Sequence, residues 1–147
     1  MKVKLTLMSI LAIASMVVTL LALSADDISK ASPDGDVGQV EIDASYNGQE
    51  VEIGAGKLLV ITLESNPTTG FRWELAEPID ENLLTLVESG YEPGADAETG
   101  LVGAGGTEVW SFETLATGGT TITMEYSRPW DGGEKAAETF EVTVTIK

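Results

Sequence analysis

Cysteine and histidine are both absent from the 147 residues. Without cysteine, no disulfide staples the fold and no lipid can be attached to a cysteine at an export-cleavage site. Without histidine, the Ser-His-Asp and Cys-His catalytic arrangements are excluded, together with the usual zinc and iron sites. A carboxylate-only hydrolase stays compositionally open, but so small a chain offers no obvious deep cleft for one. Basic residues are scarce as well, with 8 Lys+Arg against 24 Asp+Glu and a formal net charge of −16. Phosphate binding needs a basic face, so nucleic acid and anionic membrane surfaces are excluded as partners. The one Asn-x-Thr triplet, Asn66-Pro67-Thr68, is spoiled as a glycosylation site by its proline. Nothing in the composition calls for a cofactor or a metal.

What is present begins with a targeting pattern. Lys2 and Lys4 form a short basic region, an apolar run follows from Leu5 to Leu23, and Ala22-Leu23-Ser24 suits cleavage before Ala25. The run approaches the roughly 20 residues of a membrane helix, so an uncleaved anchor is the alternative to a signal peptide over residues 1–24. Both place the folded part outside the cytoplasm, secreted or tethered through residues 5–24. Residues 25–37 are polar and turn-rich and read as a flexible leader. Asp34-Gly35-Asp36 hints at calcium but lacks the further oxygen ligands of a calcium loop, and reads as linker. Loss of residues 1–24 removes two lysines and no acid, which leaves a formal charge of −18. That charge suits solubility, and it would also suit a high-salt setting in which screening relieves self-repulsion.

From residue 38 the pattern is strands and turns. Val40 and Ile42, Val51 and Ile53, and Phe71, Trp73 and Leu75 alternate with polar residues. Leu58 to Leu63 is nearly continuous in apolar residues, as in a strand buried at a sandwich centre. Leu84 and Leu86 seed a fifth strand and Val109 to Leu115 forms a sixth. Ile122, Met124 and Tyr126 mark the seventh, and Phe140, Val142, Val144 and Ile146 the eighth. No convincing helical period follows residue 25. Eight short strands separated by turn signals predict an all-β antiparallel sandwich or barrel over residues 38–147.

Strand parity then sorts the connections. If consecutive strands run in opposite directions, those after strands three, five and seven lie at one pole. These are residues 65–70, 91–106 and 127–135. The first holds Asn66-Pro67-Thr68-Thr69-Gly70, where proline fixes φ, Asn66 is driven to an extended conformation and Gly70 permits a positive φ. The second holds the glycine-rich run 100–106, whose backbone can be approached closely and suits hydrogen bonding to another chain. The third holds Arg128-Pro129-Trp130 before Asp131-Gly132-Gly133. Its Trp is poorly placed for the core, whereas Trp73 and Trp110 sit mid-strand. An exposed Trp beside an Arg has the composition of a binding hot spot; capping of the sandwich end by Trp130 is the alternative.

Asn66-Pro67-Thr68-Thr69-Gly70 with Phe71 and Trp73 after it, then Gly103-Ala104-Gly105-Gly106, then Arg128-Pro129-Trp130, together resemble the motifs of the chagasin-type inhibitors of papain-like cysteine peptidases. All three occur in order, across about residues 38–147. The resemblance implies an immunoglobulin-like sandwich, a monomer, whose loops form a tripartite wedge. It implies that the first loop enters the catalytic cleft, with Thr68 nearest the peptidase's Cys-His pair. The second would run along the substrate groove through backbone hydrogen bonds. The third would cover the other flank, Trp130 on an aromatic surface of the enzyme and Arg128 in a polar contact. The competing class is an immunoglobulin-like adhesion or carbohydrate-binding module, although sugar platforms usually need several coplanar aromatics and the sequence offers one exposed Trp.

Overall fold

In the computed structural model, residues 38–100 and 102–147 are described; the expected export segment and leader lie outside them. Gly38–Lys147 forms one compact unit of eight strands. They are β1 (Gln39–Asp43), β2 (Gln49–Ile53), β3 (Leu58–Ser65), β4 (Arg72–Leu75), β5 (Leu84–Pro93), β6 (Gly106–Thr114), β7 (Gly118–Ser127) and β8 (Glu138–Ile146). One sheet has the order β1-β3-β6-β5 and the other β2-β8-β7-β4. The alternating apolar residues of the strands, β5 beyond Leu84 excepted, face one another between the sheets. Leu59, Ile61, Phe112, Ile122, Phe140, Val142 and Val144 are fully buried there, with Trp73 and Trp110 beside them. At about 25 cal/mol per Å² of apolar area removed from water, these side chains are the main stabilising term in a domain without a disulfide.

The predicted strands are all present, and three local differences stand out. β1 pairs with β3, and β2 with β8, in parallel, so the sandwich is not purely antiparallel. Both pairs join strands of equal parity at a sheet edge, and the alternation of direction therefore survives. β5 runs on to Pro93 and β6 starts at Gly106. The ladder pairing Tyr91 with Glu108 and Pro93 with Gly106 thus shortens the expected 91–106 connection to residues 94–105. Within it a single helical turn, Ala95–Glu98, follows Gly94; one turn is too short to leave a period in the sequence.

Short 3₁₀ turns at Ala44–Tyr46 and Pro67–Thr69 occupy the β1–β2 and β3–β4 connections. Asp43 caps the first, and hydrogen bonds from the Ser45 hydroxyl and backbone N–H hold its carboxyl below the usual value. No helix among the described residues is long and apolar enough to cross a membrane.

Candidate functional site

The β3–β4, β5–β6 and β7–β8 connections meet at one pole, as parity requires. In the first loop Asn66 is the capping residue, at φ −136° and ψ 88°, and Pro67 stands at the first position of the turn. The Asn66 side-chain oxygen accepts hydrogen bonds from Thr68 N at 3.2 Å and from the Thr68 hydroxyl. The Thr69 hydroxyl donates to Asn66 O at 2.6 Å, and Gly70 N donates to Pro67 O at 3.0 Å. Gly70 closes the turn at φ 82°. Both threonine hydroxyls are thus folded back onto Asn66, while the two residues remain exposed. The loop is a self-bonded knuckle.

The second loop is tied to the first. Asn66 Nδ2 donates to Gly103 O at 3.0 Å, and Gly94 N donates to Gly105 O at 3.1 Å to close the loop at its base. Gly105 packs on the carbonyl of Ser65, where a β-carbon would lie 3.2 Å from that oxygen. Gly106 already belongs to β6, pressed against the backbone of Glu92 and Gly94 and the hydroxyl of Tyr91. Of the Gly103–Gly106 segment, therefore, the last residue is a stem and the first three form the loop itself. Val102, just before it, is fully exposed at the tip.

The third loop is tied to the first as well. Arg128 Nε donates to Thr69 O at 3.3 Å, and its guanidinium lies over the Phe71 ring, 4.4 Å from the centroid. Its ion pair with Glu134, at 3.9 Å, is half-exposed and contributes little. Arg128 N also donates to Glu134 O, and Ala136 N to the Ser127 hydroxyl, which stiffens the loop from within. Pro129 is half-buried. Trp130 is 52% exposed, and its ring occupies the space that a β-carbon on Gly70 would need. Trp130 therefore packs on Gly70 of the first loop while about half of it stays open to solvent.

Below the loops lies a layer that motif reading passed over. Asn66 N donates to the Tyr126 hydroxyl at 2.7 Å, and Tyr126 stacks on Phe71 with ring centroids 5.2 Å apart. Glu108 is buried and accepts from the Ser65 hydroxyl and from Trp73 N. A sequence signal for Glu108 existed, since it shares the parity of Trp110 and Phe112, but the sixth strand had been expected to begin one residue later.

The sandwich thus gathers three loops at one pole, with the first hydrogen-bonded to both of the others. The chain belongs to the chagasin family: a family model described as "Chagasin family peptidase inhibitor I42" matches residues 52–144. Chagasin of Trypanosoma cruzi is 36% identical over 106 residues, which cover 69% of this chain and 93% of that protein. Amoebiasin-2 of Entamoeba histolytica is 31% identical over 97 residues, covering 66% and 76%. The crystal structure of a cysteine protease inhibitor from Entamoeba histolytica superimposes with a TM-score of 0.63 at 21% identity, covering 74% of this chain and 95% of that one, and shares its fold. This chain is an inhibitor of papain-like cysteine peptidases, not an enzyme, and the adhesion and carbohydrate-binding alternative gives way.

Proposed function

We propose that the inhibitor blocks its peptidase with all three loops at once. Asn66, Pro67, Thr68, Thr69 and Gly70 enter the active-site cleft. Gly103, Ala104, Gly105 and Gly106 lie along the substrate groove on one side, and Arg128, Pro129 and Trp130 cover the other. The observation that carries this reading is the cross-bracing of the first loop to both neighbours, through Asn66 to Gly103 and through Arg128 to Thr69. Loops held in one geometry lose little entropy on docking, which is how a preformed wedge becomes tight. A knuckle whose hydroxyls and N–H groups are internally bonded also resists the extension that a peptidase needs for cleavage.

Thr68 is the residue set nearest the catalytic pair. The Arg128 guanidinium, engaged with Thr69 and Phe71, serves first to fix the wedge and presents its remaining N–H groups to the enzyme. The domain acts as a monomer outside the cytoplasm, after removal of residues 1–24 or tethered by them.

Titration of papain with the purified protein tests this. Stoichiometric or nanomolar inhibition is expected, and no inhibition at micromolar protein would sink the reading. Trp130→Ala is expected to weaken inhibition by roughly 2 kcal/mol or more, about 30-fold in the inhibition constant. An unchanged constant would remove Trp130 from the interface.

A further inference from the structure

Glu108 is the one acidic side chain that the described core encloses, 8% exposed on the inward row of β6 that it shares with Trp110, Phe112 and Thr114. A buried carboxyl is costly unless it is hydrogen-bonded, so its partners indicate what keeps it there. They are the two stems of the first loop. Glu108 Oε1 accepts from the hydroxyl of Ser65, the last residue of β3, at 2.7 Å. It also accepts from Trp73 N, in β4, at 3.1 Å, and Oε2 lies 3.3 Å from the same N–H.

β3 and β4 belong to different sheets. The first loop therefore crosses from one layer of the sandwich to the other, a gap of about 10 Å in such folds. Its five-residue knuckle cannot absorb a change in that span without turning. Glu108 is bonded to both stems and stands two residues after Gly106, where the second loop rejoins the sheet. The indole N–H of Trp73 adds a parallel tie to Glu64 O at 2.9 Å.

Resting on the three-loop reading above, we propose that Glu108 is the positioning residue of the inhibitory wedge. As a strut between the sheets it sets the height and tilt of the Asn66–Gly70 knuckle relative to the second loop, without itself touching the peptidase. A Gln in its place keeps the shape but puts an NH₂ donor where one of the acceptor oxygens stood. At either position it opposes the Trp73 N–H, which faces both oxygens, so the tie to the β4 stem weakens, while Ser65, whose hydroxyl can donate or accept, stays bonded.

The experiment compares Glu108→Gln and Ser65→Ala with the unaltered protein in three measurements: inhibition of papain, Tm, and amide hydrogen exchange of residues 66–70 in the free inhibitor. Val144→Ala, a core truncation at a fully buried site outside the loops, is the stability control. Glu108→Gln is expected to raise the inhibition constant about tenfold or more, through faster dissociation, and to accelerate exchange in the knuckle. Ser65→Ala, which spares the Trp73 bond, is expected to give a smaller rise. Val144→Ala should lower Tm with little change in either the constant or the knuckle's exchange. The proposal is overturned if Glu108→Gln leaves the inhibition constant within twofold. It is equally overturned if Val144→Ala, at a matched loss of Tm, raises the constant as much. Should the unaltered protein not inhibit papain at all, the three-loop reading falls on that result, and unchanged exchange in Glu108→Gln would independently refute the strut.

Discussion

Gly70 holds a φ of 82°, and the Trp130 ring fills the place where its β-carbon would be. An alanine there has to adopt a left-handed conformation and push the indole away. The conformational part alone is worth about 1 kcal/mol or more. Gly70→Ala is therefore expected to lower Tm by several degrees and to weaken inhibition together with it, as thermal melts and papain titrations would register. Asn66 allows a finer dissection, because its two side-chain atoms do different work. The oxygen caps the knuckle through Thr68, and the nitrogen reaches Gly103. Asn66→Asp keeps the cap and replaces the donor with an acceptor that faces the Gly103 carbonyl. Inhibition should fall by about fivefold or more while Tm moves by only a few degrees, given a net value near 1 kcal/mol for one such bond. Equal inhibition by Asn66→Asp would mean that the brace between the loops has no functional weight. The tip was legible in sequence to this extent: proline, glycine and their φ demands announce a stiff bend. The inward turn of Thr68 and Thr69 was not, because a hydroxyl's partner depends on the path that the loop takes in space.

The β-strands were read from alternation, and their parity placed the loops at one pole before any contact was known. That inference works because chain direction reverses at every turn whichever sheet a strand joins, so even the parallel edge pairs β1/β3 and β2/β8 obey it. Alternation fails where a strand is exposed on both faces. β5 from Leu86 to Pro93 is exposed throughout, carries Glu88, Gly90 and Glu92, and bears a bulge after Leu86. It left no periodic signal, and the glycine-rich connection looked longer than it is. The same omission hid Glu108, which is inward only if β6 is extended back along the ladder that β5 supplies. Gly106 marks the join. A side chain there would strike the Glu92 carbonyl and crowd Gly94 N and the Tyr91 hydroxyl, each 2.8 Å from the added carbon. Gly106→Ala is accordingly expected to unzip the end of the β5–β6 ladder, with lost exchange protection at Glu92 and Thr107 and a drop in Tm. Gly103, where an added β-carbon would meet nothing within 4 Å and φ is 85°, should tolerate alanine at the modest cost of that φ alone. If both substitutions proved equally mild, the close approach at Gly106 would not be what requires glycine there.

At the scale of the whole molecule the dominant quantity is charge, a formal −16 over the full chain. Its distribution matters more than its size. Neither the Asn66–Gly70 knuckle nor residues 102–106 carry a charge, and Arg128 stands alone in the Arg128-Pro129-Trp130 segment. The proposed contact residues are thus nearly neutral, although acids border them, Asp96 and Glu98 in the second connection and Asp131 and Glu134 in the third. Two separate salt effects follow. The body repels itself, and repulsion between exposed charges is screened over about 10 Å at 0.1 M salt and about 3 Å at 1 M. Tm should therefore climb between low and molar sodium chloride, and a flat profile would discard adaptation to high salt. Toward a peptidase of net negative charge, the same repulsion acts during approach and less in the docked state, where uncharged residues make most of the contact. Salt should then raise the association rate constant while the dissociation rate constant stays nearly level. Stopped-flow mixing with such a peptidase at two ionic strengths separates the two. A dissociation rate that changed with salt as strongly as association would mean that charged groups carry much of the docked contact, contrary to a wedge in which Arg128 is the one charged contact beside the knuckle, the backbone and Trp130.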